Sequence, residues 1–148
     1  MIESALAAAL PDDRKAVALD VLQGLPDGDA VCHGDFHPDN VIMSPRGPVV
    51  LDWMNAMQGD PLGDVARTSL MLTRAAIPPT MPAKTLMAAL RGYLHRVYLS
   101  HYQALRPFSP EDLEAWLLPV AAARLREDIP EERQSLLALV DALIAARG

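Results

Sequence analysis

Residues 33–64 read HGDFHPDNVIMSPRGPVVLDWMNAMQGDPLGD, and three polar residues in that run, Asp35, Asn40 and Asp52, set the expectation for the whole chain. Val41-Ile42-Met43 and Val49-Val50-Leu51 flank Ser44-Pro45-Arg46-Gly47, a turn by composition. Two antiparallel strands joined by such a four-residue turn bring the chain back to where it started. Asn40, before the first strand, is therefore expected beside Asp52, after the second. An amide oxygen and a carboxylate so placed are hard ligands suited to Mg2+, which takes one or two protein oxygens and leaves the rest to water and phosphate. Asp35, in a loop behind Gly34, then reads as the base that accepts the proton of a substrate hydroxyl during phosphate transfer.

Outward from this run the pattern is helical. Upstream, Pro11-Asp12-Asp13 opens an amphipathic segment with Ala16, Val17, Leu19, Val21 and Leu22, which Gly24 and Pro26 stop near Gln23. Ala30-Val31-Cys32 is a short apolar run into the loop. Downstream, Asp60 caps and Pro61 begins a helix to about Ala75. Pro78, Pro79 and Pro82 read as a rigid connector, followed by a long helix from Ala83 to about Leu105. Ser109-Pro110-Glu111-Asp112 is a helix start with a capping box, and Pro119 is expected to kink that helix. A last amphipathic helix is expected from Glu131 to Arg147, with Leu136, Leu137, Val140, Leu143 and Ile144 on one stripe. The fold class expected is mainly α with a small β-hairpin, as one domain over residues 1–148. Its parts are a leading helical segment (1–28), a catalytic loop and metal hairpin (29–64), and a helical region (65–148).

Composition narrows the function classes. An apolar content of 51% in 148 residues is enough for a real core. No apolar stretch approaches the roughly 20 residues of a bilayer span, and Glu3 with no basic leader argues against a secretory signal. A single cysteine, Cys32, rules out an internal disulfide framework and suits a reducing compartment, so a cytoplasmic location without membrane association is expected. A net charge of −6 argues against nucleic acid as partner.

Other residues of the run carry blander readings. His33, just after an apolar strand, reads as a group that holds the loop. The alternation of His33, Asp35, His37 and Asp39 admits a Zn2+ or Mn2+ reading, which Pro38 and the lack of a distant ligand cluster weaken. His95 and His101 lie on an apolar-rich helix and read as packing or surface groups. Asp64, one turn into its helix, either accepts hydrogen bonds from the loop or pairs with Arg67. Cys32 reads as a small buried strand residue, and Trp53 as a packing residue near the metal.

His33-Gly34-Asp35, Asn40, Leu51-Asp52-Trp53, Ala56, Gly59-Asp60-Pro61 and Asp64-Val65-Ala66 together resemble the aminoglycoside phosphotransferase family, which is related to choline kinases and more remotely to protein kinases. The resemblance implies a protein-kinase-like fold, with Asp35 as catalytic base and Asn40 and Asp52 as Mg2+ ligands. His33, Asp60 and Asp64 become supports of the loop. It also implies ATP or GTP as donor and a small-molecule hydroxyl, often on an aminoglycoside, as acceptor.

The departures are equally specific. Enzymes of that family carry an N-terminal lobe with a phosphate-covering loop and a strand lysine. Here the only two lysines are Lys15, on the leading helix, and Lys84, after the prolines, and no glycine-rich phosphate loop is present. Met54 stands where the family often has an acid. The chain is therefore expected to resemble the C-terminal lobe alone, to bind Mg-ATP weakly and to turn over little by itself. Self-association through bared apolar surface is expected as well. The alternative is a non-catalytic ligand- or partner-binding remnant of such a kinase. The acids Glu111, Asp112, Glu114, Glu127, Asp128, Glu131 and Glu132 lie in helices that would face substrate, although several are also ordinary helix-start residues.

Overall fold

A computed structural model describes residues 10–77 and 82–147. Helix α1 (Asp12–Gln23) leads into strand β1 (Ala30–Cys32) and the loop that carries Asp35. Strands β2 (Val41–Ser44) and β3 (Gly47–Val50) form the hairpin, and β4 (Met57–Gly59) follows. Among the described residues four α-helices follow: α2 (Pro61–Arg74), α3 (Lys84–Leu105), α4 (Pro110–Arg124) and α5 (Pro130–Ala145). The molecule is mainly helical, as the periodicity indicates. Pro78 and Pro79 of the expected connector lie outside the described residues.

The hairpin register corrects the turn. Ser44 pairs with Gly47 at the end of the β2–β3 ladder, so the connecting loop is the two residues Pro45-Arg46 rather than four. Ser44 Oγ closes it, donating to the Gly47 carbonyl at 2.8 Å. A second ladder was not apparent in the composition: β1 and β4 are antiparallel, with Val31 opposite Gln58 and Cys32 opposite Met57. Met57-Gln58-Gly59 has no β-rich signature, and it is a strand only because β1 lies beside it.

The helix starts follow their local chemistry. Asp60 accepts the Leu62 N–H at 2.7 Å ahead of Pro61. Ser109 and Asp112 make the reciprocal capping box. The last helix begins one residue early, at Pro130, whose missing N–H costs nothing in the first turn. Pro119 lies inside α4, which runs from Pro110 to Arg124 as one element, and it is fully buried.

The core forms where α4 meets α1, α2 and α5, through Ala18, Leu70, Leu118, Ala121, Leu136 and Val140. Gly63 on α2 lets the Trp116 indole approach closely: a Cβ there would lie 3.1 Å from the ring. Helix α3 is locked to α2 by Arg91, whose guanidinium donates to the Leu72 carbonyl at 3.0 Å, the Ala75 carbonyl at 2.6 Å and the Met71 carbonyl. A cation on the last carbonyls of a helix satisfies orphan acceptors and opposes the dipole.

Candidate active site

The loop hangs from α2 by one carboxylate. Asp64 Oδ2 accepts the His33 N–H and Asp64 Oδ1 accepts the Gly34 N–H, each at 2.8 Å. Of the two partners open to Asp64, it therefore takes the loop and not Arg67. Gly34 needs its missing side chain, with φ at +77° and a Cβ that would sit 2.4 Å from the Asn55 carbonyl oxygen. Thr68 Oγ1, one helical turn on from Asp64, donates to the Phe36 carbonyl at 2.9 Å.

His33 is buried and its ring spans the loop. The Asp35 N–H donates to Nδ1 at 3.2 Å, so Nε2 carries the hydrogen and donates to the Leu51 carbonyl at 2.8 Å. One neutral imidazole thus ties the backbone of Asp35 to the residue before Asp52. Trp53, read as a packing residue, is half exposed; its ring lies 4.6 Å from that of His33 and its Nε1–H donates to the Val50 carbonyl at 3.1 Å.

Asn40 and Asp52 leave the hairpin at the same end. Val41 pairs with Val50, and the Leu51 N–H donates to the Asn40 carbonyl at 2.8 Å. The Asn40 amide nitrogen donates to the Asp35 carbonyl at 2.9 Å, which leaves its oxygen available to a cation. Asp52 is exposed and has left-handed backbone geometry, φ 58° and ψ 60°. A residue other than glycine held there carries strain of order 1–3 kcal/mol, and such strain clusters at functional positions. Two hard oxygens fit Mg2+ better than a softer metal. Among the described residues no three His, Cys, Asp or Glu side chains gather to hold a metal ion, so the His33/Asp35/His37/Asp39 alternation does not form a Zn2+ or Mn2+ cluster.

The Asp35 carboxylate is partly buried and flanked by a guanidinium and an imidazole. Oδ1 pairs with Arg67 Nη2 at 3.2 Å, and Oδ2 lies 3.6 Å from His37 Nε2. Arg67 is the residue that sequence reasoning missed in this role. Asp60, Asp64 and Arg67 share a helix face at spacings of four and three, which would have aimed Arg67 at the loop. Beyond it the network runs inward: Arg67 pairs with Glu127 at 2.7 Å, Glu127 with Arg124 at 3.0 Å, and Arg124 with Glu132 at 2.7 Å. Glu132, expected among the substrate-facing acids, is instead buried; it grips Arg124 with both oxygens and accepts the Ala76 N–H at 3.1 Å.

Asp35 opens on a cleft of about 1000 Å³ that also takes in Cys32, Asp64, Arg67, Trp116 and Glu127. Burial, with the Asp64 and Asp60 carboxylates beside it, pushes the Cys32 thiol up from its ordinary value, so it is a poor nucleophile. Such a cleft has the size of a small-molecule site.

The sequence model of the phosphotransferase enzyme family (APH) matches residues 2–108. The chain belongs to that family. Within the APH match lie the loop, the hairpin, α2 and α3, whereas α4, which supplies Trp116 to the cleft, the turn Leu125–Glu127, which supplies Glu127, and α5 lie beyond it. No curated protein and no solved structure matches the chain. None of the described helices is long and apolar enough to cross a membrane.

Proposed function

We propose that the cleft is the acceptor half of a phosphoryl-transfer site, in which the terminal phosphate of ATP or GTP passes to a hydroxyl of a small molecule. Asp35 takes the hydroxyl proton as that oxygen bonds to phosphorus and the bond to the departing nucleoside diphosphate breaks. Asn40 and Asp52 are the residues that would hold Mg2+, which supplies neutralisation of phosphate charge when bound with the nucleotide. His33, Asp60 and Asp64 support the loop, through the backbone contacts of His33 and Asp64 and the helix cap of Asp60.

One observation carries the reading: the Asp35 carboxylate faces a cleft of small-molecule size, while Asn40 and Asp52 stand together at the base of the hairpin beside its loop. A second reading, a ligand-binding module without catalysis, draws on the Arg67 contact, since the guanidinium at 3.2 Å already occupies one oxygen of the Asp35 carboxylate.

Transfer of labelled terminal phosphate from ATP and GTP to a panel of small alcohols separates the two. The phosphoryl-transfer reading expects weak Mg-ATP binding and slow transfer by the 148-residue chain, with the transfer falling about 10²–10⁴-fold in Asp35→Asn at unchanged Mg-ATP affinity. Nucleotide binding with no transfer to any acceptor supports the second reading.

A further inference from the structure

The ion network that starts at Asp35 runs out of the segment that the family model matches. Arg67 Nη2 donates to Asp35 Oδ1 at 3.2 Å and to Glu127 Oε1 at 2.7 Å. Glu127 Oε2 accepts from Arg124 Nη1 at 3.0 Å, and Arg124 is gripped in turn by both oxygens of Glu132. Five charges of alternating sign therefore link the candidate base to the junction of α4 and α5, ending at the Arg124 and Glu132 side chains, only 7% and 5% exposed. Arg124, Glu127 and Glu132 all lie outside residues 2–108.

An arginine that is free to move holds a carboxylate weakly, because its long side chain must give up rotamer freedom to keep one geometry. Arg67 is not free. One of its terminal nitrogens bridges Asp35 and Glu127, a hydrogen to each, so the place of Glu127 sets where Asp35 is met. Glu127 is itself tied to a buried arginine that makes two further bonds. Asp64, one turn back on the same helix, has both oxygens taken by the His33 and Gly34 N–H groups and offers Arg67 no rival partner. The reach of the network is also visible at its far end. Burial lowers the Arg124 pKa, but the Glu132 hydrogen bonds, the Glu127 and Glu132 charges and the Asp35 charge raise it.

We infer that Glu127 is a positioning residue for Asp35, acting through Arg67: it fixes the guanidinium that holds Oδ1, so that Oδ2 is the oxygen offered to the acceptor hydroxyl. Oδ2 makes no hydrogen bond among the described residues, and its nearest charged neighbour is His37 Nε2 at 3.6 Å. The catalytic consequence rests on the phosphoryl-transfer reading, whereas the positioning does not. A reacting group displaced by about 1 Å loses about 10²-fold in rate, so residues beyond the family match supply part of the precision of the loop. Glu127→Gln separates the two contacts, because an amide has one acceptor oxygen where the carboxylate has two. That oxygen stays with Arg124, which is the costlier donor to strand, and the amide NH2 left facing Arg67 accepts nothing from it.

NMR of the 148-residue chain without ligand reads the positioning directly. In the wild type the two Arg67 Nη atoms are expected to give separate signals, because bonds to two carboxylates stop rotation about the Nε–Cζ bond. Glu127→Gln is expected to merge them and to shift the Asp35 carboxyl carbon, a signal assigned by its loss in Asp35→Asn. Asp128→Asn breaks the neighbouring exposed pair with Arg133 and is expected to change neither. Merged Arg67 signals in the wild type overturn the inference. So does an Asp35 carboxyl carbon that stays put in Glu127→Gln or moves equally in Asp128→Asn. Release of labelled phosphate from Mg-ATP to water, the acceptor always present, adds a kinetic readout: Glu127→Gln is expected to lower kcat about tenfold or more and to leave KM for Mg-ATP unchanged. A raised KM at intact kcat counts against the positioning role. No release by any form, wild type included, sinks the phosphoryl-transfer reading alone, and the carboxyl carbon still decides the role of Glu127.

Discussion

The Asp64 carboxylate accepts the backbone N–H groups of both His33 and Gly34, at 2.8 Å each, so one side chain on α2 sets the position of the loop that carries Asp35. His33 and Gly34 are buried, and no solvent stands ready to replace the lost acceptor. Asp64→Ala is expected to destabilise the fold by about 2–4 kcal/mol, the cost of stranding two buried donors. Asp64→Asn, which keeps one acceptor oxygen, should cost less. Urea unfolding of the two variants checks both the size and the order.

The Arg124–Glu132 pair makes an opposite kind of prediction. Burial alone would lower the Arg124 pKa, but the hydrogen bonds it donates to Glu132 and the charge of Glu127 outweigh it and raise the value. Glu132→Ala leaves that guanidinium buried with half its partners and is expected to cost about 3–5 kcal/mol. Replacing both residues by leucine removes the charges together and should recover most of the loss. A double-mutant cycle by thermal unfolding measures the difference.

His95 gives the chain a pH signature. Its folded-state pKa lies below 6.5 because burial disfavours the charged ring. The unfolded state therefore binds the extra proton, and the stability contributed by the neutral ring is complete above about pH 6.5 and lost as pH falls through the folded value. The drop in unfolding midpoint between about pH 8 and pH 5 should be smaller in His95→Phe than in the wild type. Equal drops would assign the acid sensitivity to other groups.

What was legible in the sequence was what local chemistry decides. Asp60-Pro61 and Ser109-Pro110 mark helix starts because the capping partners lie within three residues. The hairpin is legible because two short apolar, β-branched-rich runs and a turn specify it without outside help, and it places Asn40 and Asp52 at one end. Strand β4 was not legible, since Met57-Gln58-Gly59 becomes a strand through Ala30-Val31-Cys32, more than twenty residues away. Glu132 was misread for the same reason: in isolation it is an acid in the first turn of a helix, and only the return of α4 beside it buries the pair with Arg124. Arg67 lay between these cases. Its helix face was readable, but its choice of Asp35 and Glu127 over Asp64 depends on the loop taking both Asp64 oxygens first.

The proposed phosphoryl transfer requires Asn40 and Asp52 to act together on one divalent cation beside Asp35. Titrating the chain with Mn2+ as a paramagnetic stand-in for Mg2+, in the presence of ATP, and following the backbone amide signals tests this directly. Asp35, Asn40 and Asp52 are expected to broaden first, and Asp52→Asn is expected to raise the Mn2+ concentration needed by about tenfold, close to 1.4 kcal/mol. Broadening spread over the surface acids, or broadening near Asn40 that is unchanged in Asp52→Asn, would contradict it.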